Sequence, residues 1–247
     1  MPGGAAFDDA ISTAKKNPGL GVGIHFTLAN GFPVLPPEEI PSLVTSEGVF
    51  QENYVEFLKL YLRGKISLSD IRRELAAQLE KVLRTGLEIT HFDSHQHLHH
   101  VPGIIEIILE LAEGAGIKKM RLSRTKIFDG EISGLSQFVG RLGLSSLAEF
   151  AKLKARKKNF LMPDNFSGIV AGESVSEKFL EKLLSDLPEG TTEVMLHPGT
   201  DNKILQDFCG WQHDFEEESA AVTSPKILQL IDEKKIFPVS FGELEEK

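Results

Sequence analysis

Along the chain, short apolar runs rich in β-branched residues alternate with longer stretches whose apolar positions recur every three to four residues. Residues 21–28, 88–94, 118–123, 192–197 and 236–240 have the length and composition of buried strands. Between the first two, residues 68–85 place Ile71, Leu75, Leu79, Val82 and Leu83 near the 3.6-residue period, which predicts an amphipathic helix with Ser67 or Ser69 as its cap. Pro102 suits the first turn of a helix over 103–113, with Gly114 and Gly116 ending it. Residues 174–187 read as another helix, with Ser174 and Glu177 at capping-box spacing. Strands alternating with helices predict a parallel α/β architecture rather than a sandwich. Residues 31–50, with Pro33, Pro36, Pro37 and Pro41, predict an extended surface excursion, and the basic run 152–158 reads as a solvated helix end. No repeat or boundary interrupts the pattern, so residues 1–247 are taken as one domain.

Composition narrows the function classes. A hydrophobic content of 41% over 247 residues is ample for a sizeable core. The net charge of -9 argues against a surface built to hold nucleic acid or anionic lipid, and favours a neutral or cationic substrate. A lone cysteine, Cys209, excludes an internal disulfide and a four-thiolate zinc site. No basic segment leads into an apolar leader and no apolar stretch reaches the length of a membrane span, so a cytoplasmic location is expected.

Five of the eight histidines fall within ten residues, in His91-Phe92-Asp93-Ser94-His95-Gln96-His97-Leu98-His99-His100. Residues two apart share a strand face, so His91, Asp93 and His95 point together at the C-terminal end of a parallel strand, with His97 and His99 on the loop beyond. That edge is where loops and helix N-termini converge on α/β active sites. Imidazoles beside a carboxylate that ligates or orients them make a candidate metal site. Such ligands suit Zn, Co, Ni or Mn better than Mg. His25 stands alone in an apolar strand, a place that more often holds a hydrogen-bonded core histidine than a ligand. His197, before Pro198-Gly199, ends a strand and is a candidate general acid aimed at the same edge as His95. Arg121 and Asp164, near strand ends, are candidates for binding substrate. No role follows from the sequence for Trp211 or His213.

Three ordered strings, Gly21-Val22-Gly23-Ile24-His25-Phe26-Thr27-Leu28, Thr90 to His99, and Glu193-Val194-Met195-Leu196-His197-Pro198-Gly199, resemble signatures of the YdjC-like carbohydrate deacetylases. Met120-Arg121-Leu122, Pro163-Asp164-Asn165-Phe166-Ser167-Gly168 and Val239-Ser240-Phe241-Gly242-Glu243-Leu244 match as well, so the resemblance runs from Gly3 to Leu244. It implies an incomplete TIM-like (β/α) barrel and a metal-dependent hydrolase that removes N-acetyl groups from amino sugars such as chitooligosaccharides. It makes His25 and His95 metal ligands, with Mg as the usual ion. A branch acting on hopanoid-linked amino sugars is an alternative, suggested by the proline-rich stretch 33–41.

The resemblance also implies a first strand ending in Asn-Ala-Asp-Asp-Phe-Gly, whose aspartates supply a ligand and a base. That string is absent, and Asp8-Asp9 falls in a later helix. The expectation is a sheet with an open edge and partly uncovered core, and so a tendency to self-associate, for example as a homodimer. A catalytically inactive sugar-binding relative is the alternative from another class. For an active enzyme, Asp93 orients an imidazole or replaces the missing ligand, and His197 protonates the departing amine. Other barrel metallohydrolases, such as amidohydrolases or phosphoesterases, fit less well because the histidine-rich motif is central rather than early.

Overall fold

The computed structural model describes residues 1–124, 135–169 and 174–245. The fold is mixed α/β and divides into two compact units. The first comprises Met1–Arg121, Leu147–Met162 and Ser240–Lys247, and the second Leu122–Ser146 and Pro163–Val239.

The first unit contains α1 (Phe7–Lys16), β1 (Val22–Phe26), α2 (Tyr54–Leu62), α3 (Leu68–Leu83), β2 (Ile89–Ser94), α4 (Ile104–Gly114) and the C-terminal half of α5 (Leu135–Arg156). Strands β1 and β2 pair in parallel, with His25 opposite Asp93 and Phe26 opposite Ser94. Asp8 and Asp9 lie in the first turn of α1, as the sequence reading placed them. The strand expected over 118–123 is reduced to isolated parallel bridges, Phe92 with Met120 and Lys119 with Leu161. Its backbone bonds alternate sides: Arg121 N–H donates to Phe92 O, and Met120 N–H to Leu161 O. The ladder ends where the chain passes into the second unit, and Arg124 N–H turns back onto Leu122 O.

Ser67 caps α3 by accepting from Ser69 N–H, and Ile71, Leu75, Leu79 and Val82 face the core with Ile24, Phe26 and Phe92, whereas Leu83 is exposed. Pro102 lies outside α4, whose start is fixed by Glu106 accepting from Gly103 N–H at 2.8 Å. The basic run near the end of α5 is paired rather than merely solvated, with Lys154 on Glu106 and Lys158 on Glu113.

Residues 31–50 run mostly over the surface, as expected, but are anchored in the core at three points. Ile40 and Leu43 are completely buried and Phe50 nearly so. The run bonds partly within itself, as Glu39 N–H on Pro36 O and Leu43 N–H on Ile40 O show, and α3 supplies side-chain acceptors for other donors. Glu74, fully buried, accepts from Val34 N–H at 2.8 Å and Leu35 N–H at 3.0 Å, and Asp70 accepts from Ser42 N–H and Oγ. Gln78 takes over where β1 ends, accepting from Thr27 N–H and donating to Thr27 O and to Glu74. Among the described residues β1 pairs with β2 alone. Its core is not uncovered, because Ile24 and Phe26 are each 1% exposed.

The second unit holds β3 (Asn165–Ser167), α6 (Glu177–Ser185), β4 (Thr192–Val194), α7 (Asn202–Cys209), α8 (Phe215–Val222) and α9 (Pro225–Glu233). Strands β3 and β4 are parallel, and α6, α8 and α9 close a small core around Val175, Leu180, Leu184, Ala221 and Ile227. Ser176, not Ser174, caps α6. The expected strand at 236–240 is not one. Lys235 takes a left-handed φ of 53° and Ile236 N–H closes onto Ile231 O, so the segment starts as the C-terminal stop of α9, and Phe237 and Val239 are exposed. Among the described residues no helix is long and apolar enough to cross a membrane.

Glu74→Ala would strand two loop N–H groups and Gln78 in a buried place, at a cost of about 2–4 kcal/mol. Urea unfolding should show that loss as a lower midpoint, while Glu80→Ala on the exposed face of α3 changes it by less than about 0.5 kcal/mol. Equal effects from the two would refute the anchoring role.

Candidate functional site

In the first unit, the register that sets His25 opposite Asp93 brings their side chains into contact on one face of the sheet. Asp93 Oδ1 lies 2.7 Å from His25 Nδ1, and its Oδ2 accepts from Arg121 Nη1. Burial alone would raise the Asp93 pKa, but the His25 and Arg121 charges outweigh it and hold the carboxyl well below the usual carboxylate range. Asp93 is therefore an anion with both oxygens committed. With Nδ1 engaged, His25 has Nε2 left for another partner, and its side chain is 30% exposed. His95 follows the last residue of β2, and its ring meets that of His25 edge to face at 5.7 Å.

Behind this pair the chain makes a tight turn over His95–His100. Gln96 and His97 both take left-handed φ values, 52° and 58°, which is costly for residues with side chains. The turn is pinned from outside, since Gln96 Oε1 accepts from Tyr54 N–H at 2.6 Å. It is pinned from inside by Ser94 Oγ, which accepts from His99 N–H and lies 2.7 Å from His99 Nδ1. His99 Nε2 reaches Arg121 O, tying the turn to the segment that neutralises Asp93. His91 stacks on Phe241 at 3.9 Å and covers Gly23, where a Cβ would fall 2.4 Å from the imidazole. Burial lowers the pKa of His91 and of His99 to about 4, and pushes His97 and His100 well down. The histidine cluster thus divides: His25 and His95 are half-buried and meet ring to ring, while His99 and His100 are fully buried with lowered pKa values, and His99 holds the turn.

In the second unit, Asp164 accepts from Thr191 N–H at 2.8 Å and packs against Gly190, whose φ of 95° and whose close approach to the carboxylate both require glycine. His197 follows β4, and its N–H donates to Glu218 Oε2. Glu218 Oε1 accepts from Val175 N–H at 2.8 Å and lies 3.0 Å from His213 Nε2. His197, His213 and Glu218 offer ligand atoms all within 4.8 Å of one another. Sequence reasoning passed over His213 and Glu218. The signal that could have found them is the pairing of an acid in the first turn of α8 with a histidine five residues earlier, next to a lone tryptophan.

The structure thus brings His25, His95, Asp93 and Arg121 together in one unit, and places His197 and Asp164 in the other. Within the first unit, His25 and His95 are adjacent imidazoles that could hold a divalent ion. His25 already has the carboxylate partner on its second nitrogen that metal-binding histidines usually have. A catalytic ion at such a site would keep a position for water or substrate oxygen.

A family model described as YdjC-like protein matches residues 1–233. Among curated relatives, a carbohydrate deacetylase of Listeria monocytogenes is 28% identical over 97% of this chain and 84% of its own length. A carbohydrate deacetylase of Brevibacillus brevis is 28% identical over 96% of this chain and 84% of its own. Among solved structures, a cellobiose-phosphate cleavage protein of Enterococcus faecalis V583 superposes with a TM-score of 0.70 at 23% identity, covering 98% of this chain and 84% of that one, a likeness of fold.

The buried imidazoles give stability a pH dependence of definite sign. Folded His91 stays neutral down to about pH 4, whereas the unfolded chain takes up that proton near its ordinary value of 6.5. The unfolded state binds more protons in between, so stability is lost as pH falls from about 6.5 to about 4. For His91→Phe, urea unfolding at pH 7.5 and 4.5 should show a smaller acid loss than the parent, by about 2–3 kcal/mol. Parallel losses in the two proteins would refute this.

Proposed function

Because the chain belongs to the YdjC-like family, we propose that it is a carbohydrate deacetylase that hydrolyses the N-acetyl group of an amino sugar, with a divalent ion held by His25 and His95. The observation that carries the reading is the His25–Asp93–Arg121 chain beside His95 at the C-terminal end of a parallel strand pair. The parallel strand and helix order in turn supports an incomplete TIM-like barrel.

Hydrolysing an acetamide needs an activated water, a polarised carbonyl and a proton for the departing amine. The divalent ion, when bound, would lower the pKa of the attacking water and polarise the acetyl carbonyl. Asp93 fixes the tautomer and the plane of His25 by accepting from Nδ1, and its own low proton affinity keeps it an anion throughout. Arg121 balances that charge and holds the carboxylate in place. The proton for the amine is assigned to His197, on its place in Leu196-His197-Pro198-Gly199. The imidazole donor set suits Zn, Co, Ni or Mn, and the family resemblance adds Mg. The substrate proposed is an N-acetylated chitooligosaccharide.

Acetate release from diacetylchitobiose and longer oligomers, measured with Mg, Mn, Co and Zn and with a chelator control, tests the reading. His95→Ala should lower kcat/KM by at least about 100-fold and Asp93→Asn by about 10–100-fold. His197→Ala should lower kcat by about 100-fold or more and leave binding of the activating ion intact. Release that survives chelation, or survives His95→Ala, would reject the metal site. No release from any N-acetylated sugar by the parent protein would favour a sugar-binding role instead.

A further inference from the structure

We propose that His197, His213 and Glu218 form a second divalent-metal site, for a borderline-soft ion such as Zn²⁺ or Co²⁺, separate from His25 and His95. The three lie within the second unit, and their ligand atoms cluster within 4.8 Å. The decisive residue is His213. Its ring is 3% exposed, yet neither Nδ1 nor Nε2 has a hydrogen-bond partner among the described residues. A buried imidazole left this way forfeits hydrogen bonds that almost every buried polar group makes. Nε2 does lie 3.0 Å from Glu218 Oε1, but not in line for a hydrogen bond. Two donor atoms side by side at that distance are what a shared ion requires, since ligands about 2.0–2.1 Å from a tetrahedral centre stand about 3.3 Å apart.

The surroundings are built in the way a metal site is built. Glu218, 1% exposed, is oriented by two backbone donors, Val175 N–H on Oε1 and His197 N–H on Oε2. Each carboxylate oxygen has two lone pairs, so both remain able to ligate. Because the same carboxylate binds the backbone of His197, it also fixes where that residue's side chain begins. His213 is held by its N–H on Trp211 O and by Gln206 Nε2 on its own carbonyl. The Trp211 ring stacks on the His213 imidazole at 4.2 Å and meets His197 edge on at 5.0 Å, walling the site. On the other side His213 borders a polar cleft of about 430 Å³ with Ser176, Gln206, Gln212 and Asp214, which gives an ion a path in. Two imidazoles and a carboxylate select ions of the zinc class over Mg²⁺. On the reading of His197 as proton donor given above, occupancy here would withdraw that imidazole, so excess zinc should inhibit hydrolysis.

The site is tested without relying on hydrolysis. The intact chain carrying His25→Ala and His95→Ala, with the first pair of ligands removed, is dialysed against Zn²⁺ or Co²⁺. It should retain one equivalent, and Co²⁺ should give the intense visible absorption of a tetrahedral site. Adding His213→Gln or Glu218→Gln, with folding checked by circular dichroism, should weaken that binding by at least about 100-fold. Zinc X-ray absorption on the His25→Ala/His95→Ala protein needs no variant at His213 and should show two imidazoles and an oxygen donor. No retained equivalent, an equivalent that survives both added substitutions, or an all-oxygen shell would each overturn the proposal. Metal-dependent hydrolysis could still stand in any of those cases, and a retained equivalent could accompany a protein without deacetylase activity.

Discussion

A carboxylate that is 6% exposed, Asp93, must be neutralised where it stands, and the arrangement of the first unit follows from how this is done. Burying an ion costs several kcal/mol unless charge and hydrogen bonds replace the lost water. One oxygen is served by His25 across the β1–β2 ladder and the other by Arg121, from the segment hydrogen-bonded to the far side of β2. Neither partner can move by one residue without turning its side chain to the opposite face, because the strand period is two. Three adjacent segments are thus locked in register by one charge. His99 extends the lock by bonding Arg121 O from the turn that carries His95, so the His25–His95 pair inherits its geometry from the groups behind it.

The same solution recurs where the chain has no regular structure. Glu74 supplies acceptors to the proline-rich loop and Glu218 to Val175 and His197, each fully or almost fully buried and each bonded to backbone N–H groups. A carboxylate can accept several such bonds at once, which is what an irregular segment needs when it passes through a core. The acidic excess of the sequence is therefore partly interior. Some of the charge of -9 serves the backbone rather than the surface.

What the sequence made legible was whatever has a period. The α3 stripe of Ile71, Leu75, Leu79 and Val82, strands β1 and β2, and the gathering of histidines at a strand end all follow from spacing. Beside that stripe Asp70, Glu74 and Gln78 are buried too, and periodicity reads polar residues as solvent-facing, so the anchoring of residues 31–50 on α3 could not be foreseen. Residues 236–240 failed for the opposite reason. Five apolar-looking residues match a strand until the left-handed Lys235 and the bond from Ile236 to Ile231 O assign the start of the segment to the end of α9. His213 and Glu218 were missed because the start of α8 at Phe215 falls between them, and no period joins the two.

The double commitment of Asp93 also bears on which roles are open to it. If this carboxylate rotated to ligate an ion, it would leave Arg121, 17% exposed at its side chain, without its counter-charge, a loss of about 3–5 kcal/mol for a buried pair. Nor can it serve as a proton carrier near neutral pH, since the His25 and Arg121 charges keep it ionised far below that range despite its burial. The sequence left Asp93 between orienting an imidazole and replacing a ligand, and the geometry favours the first. An ion at His25 and His95 would then draw its further ligands from groups other than Asp93, and would be held more tightly when a sugar acetamide supplies one of them. Such a site would couple metal affinity to substrate binding, and by linkage each would tighten the other by the same factor.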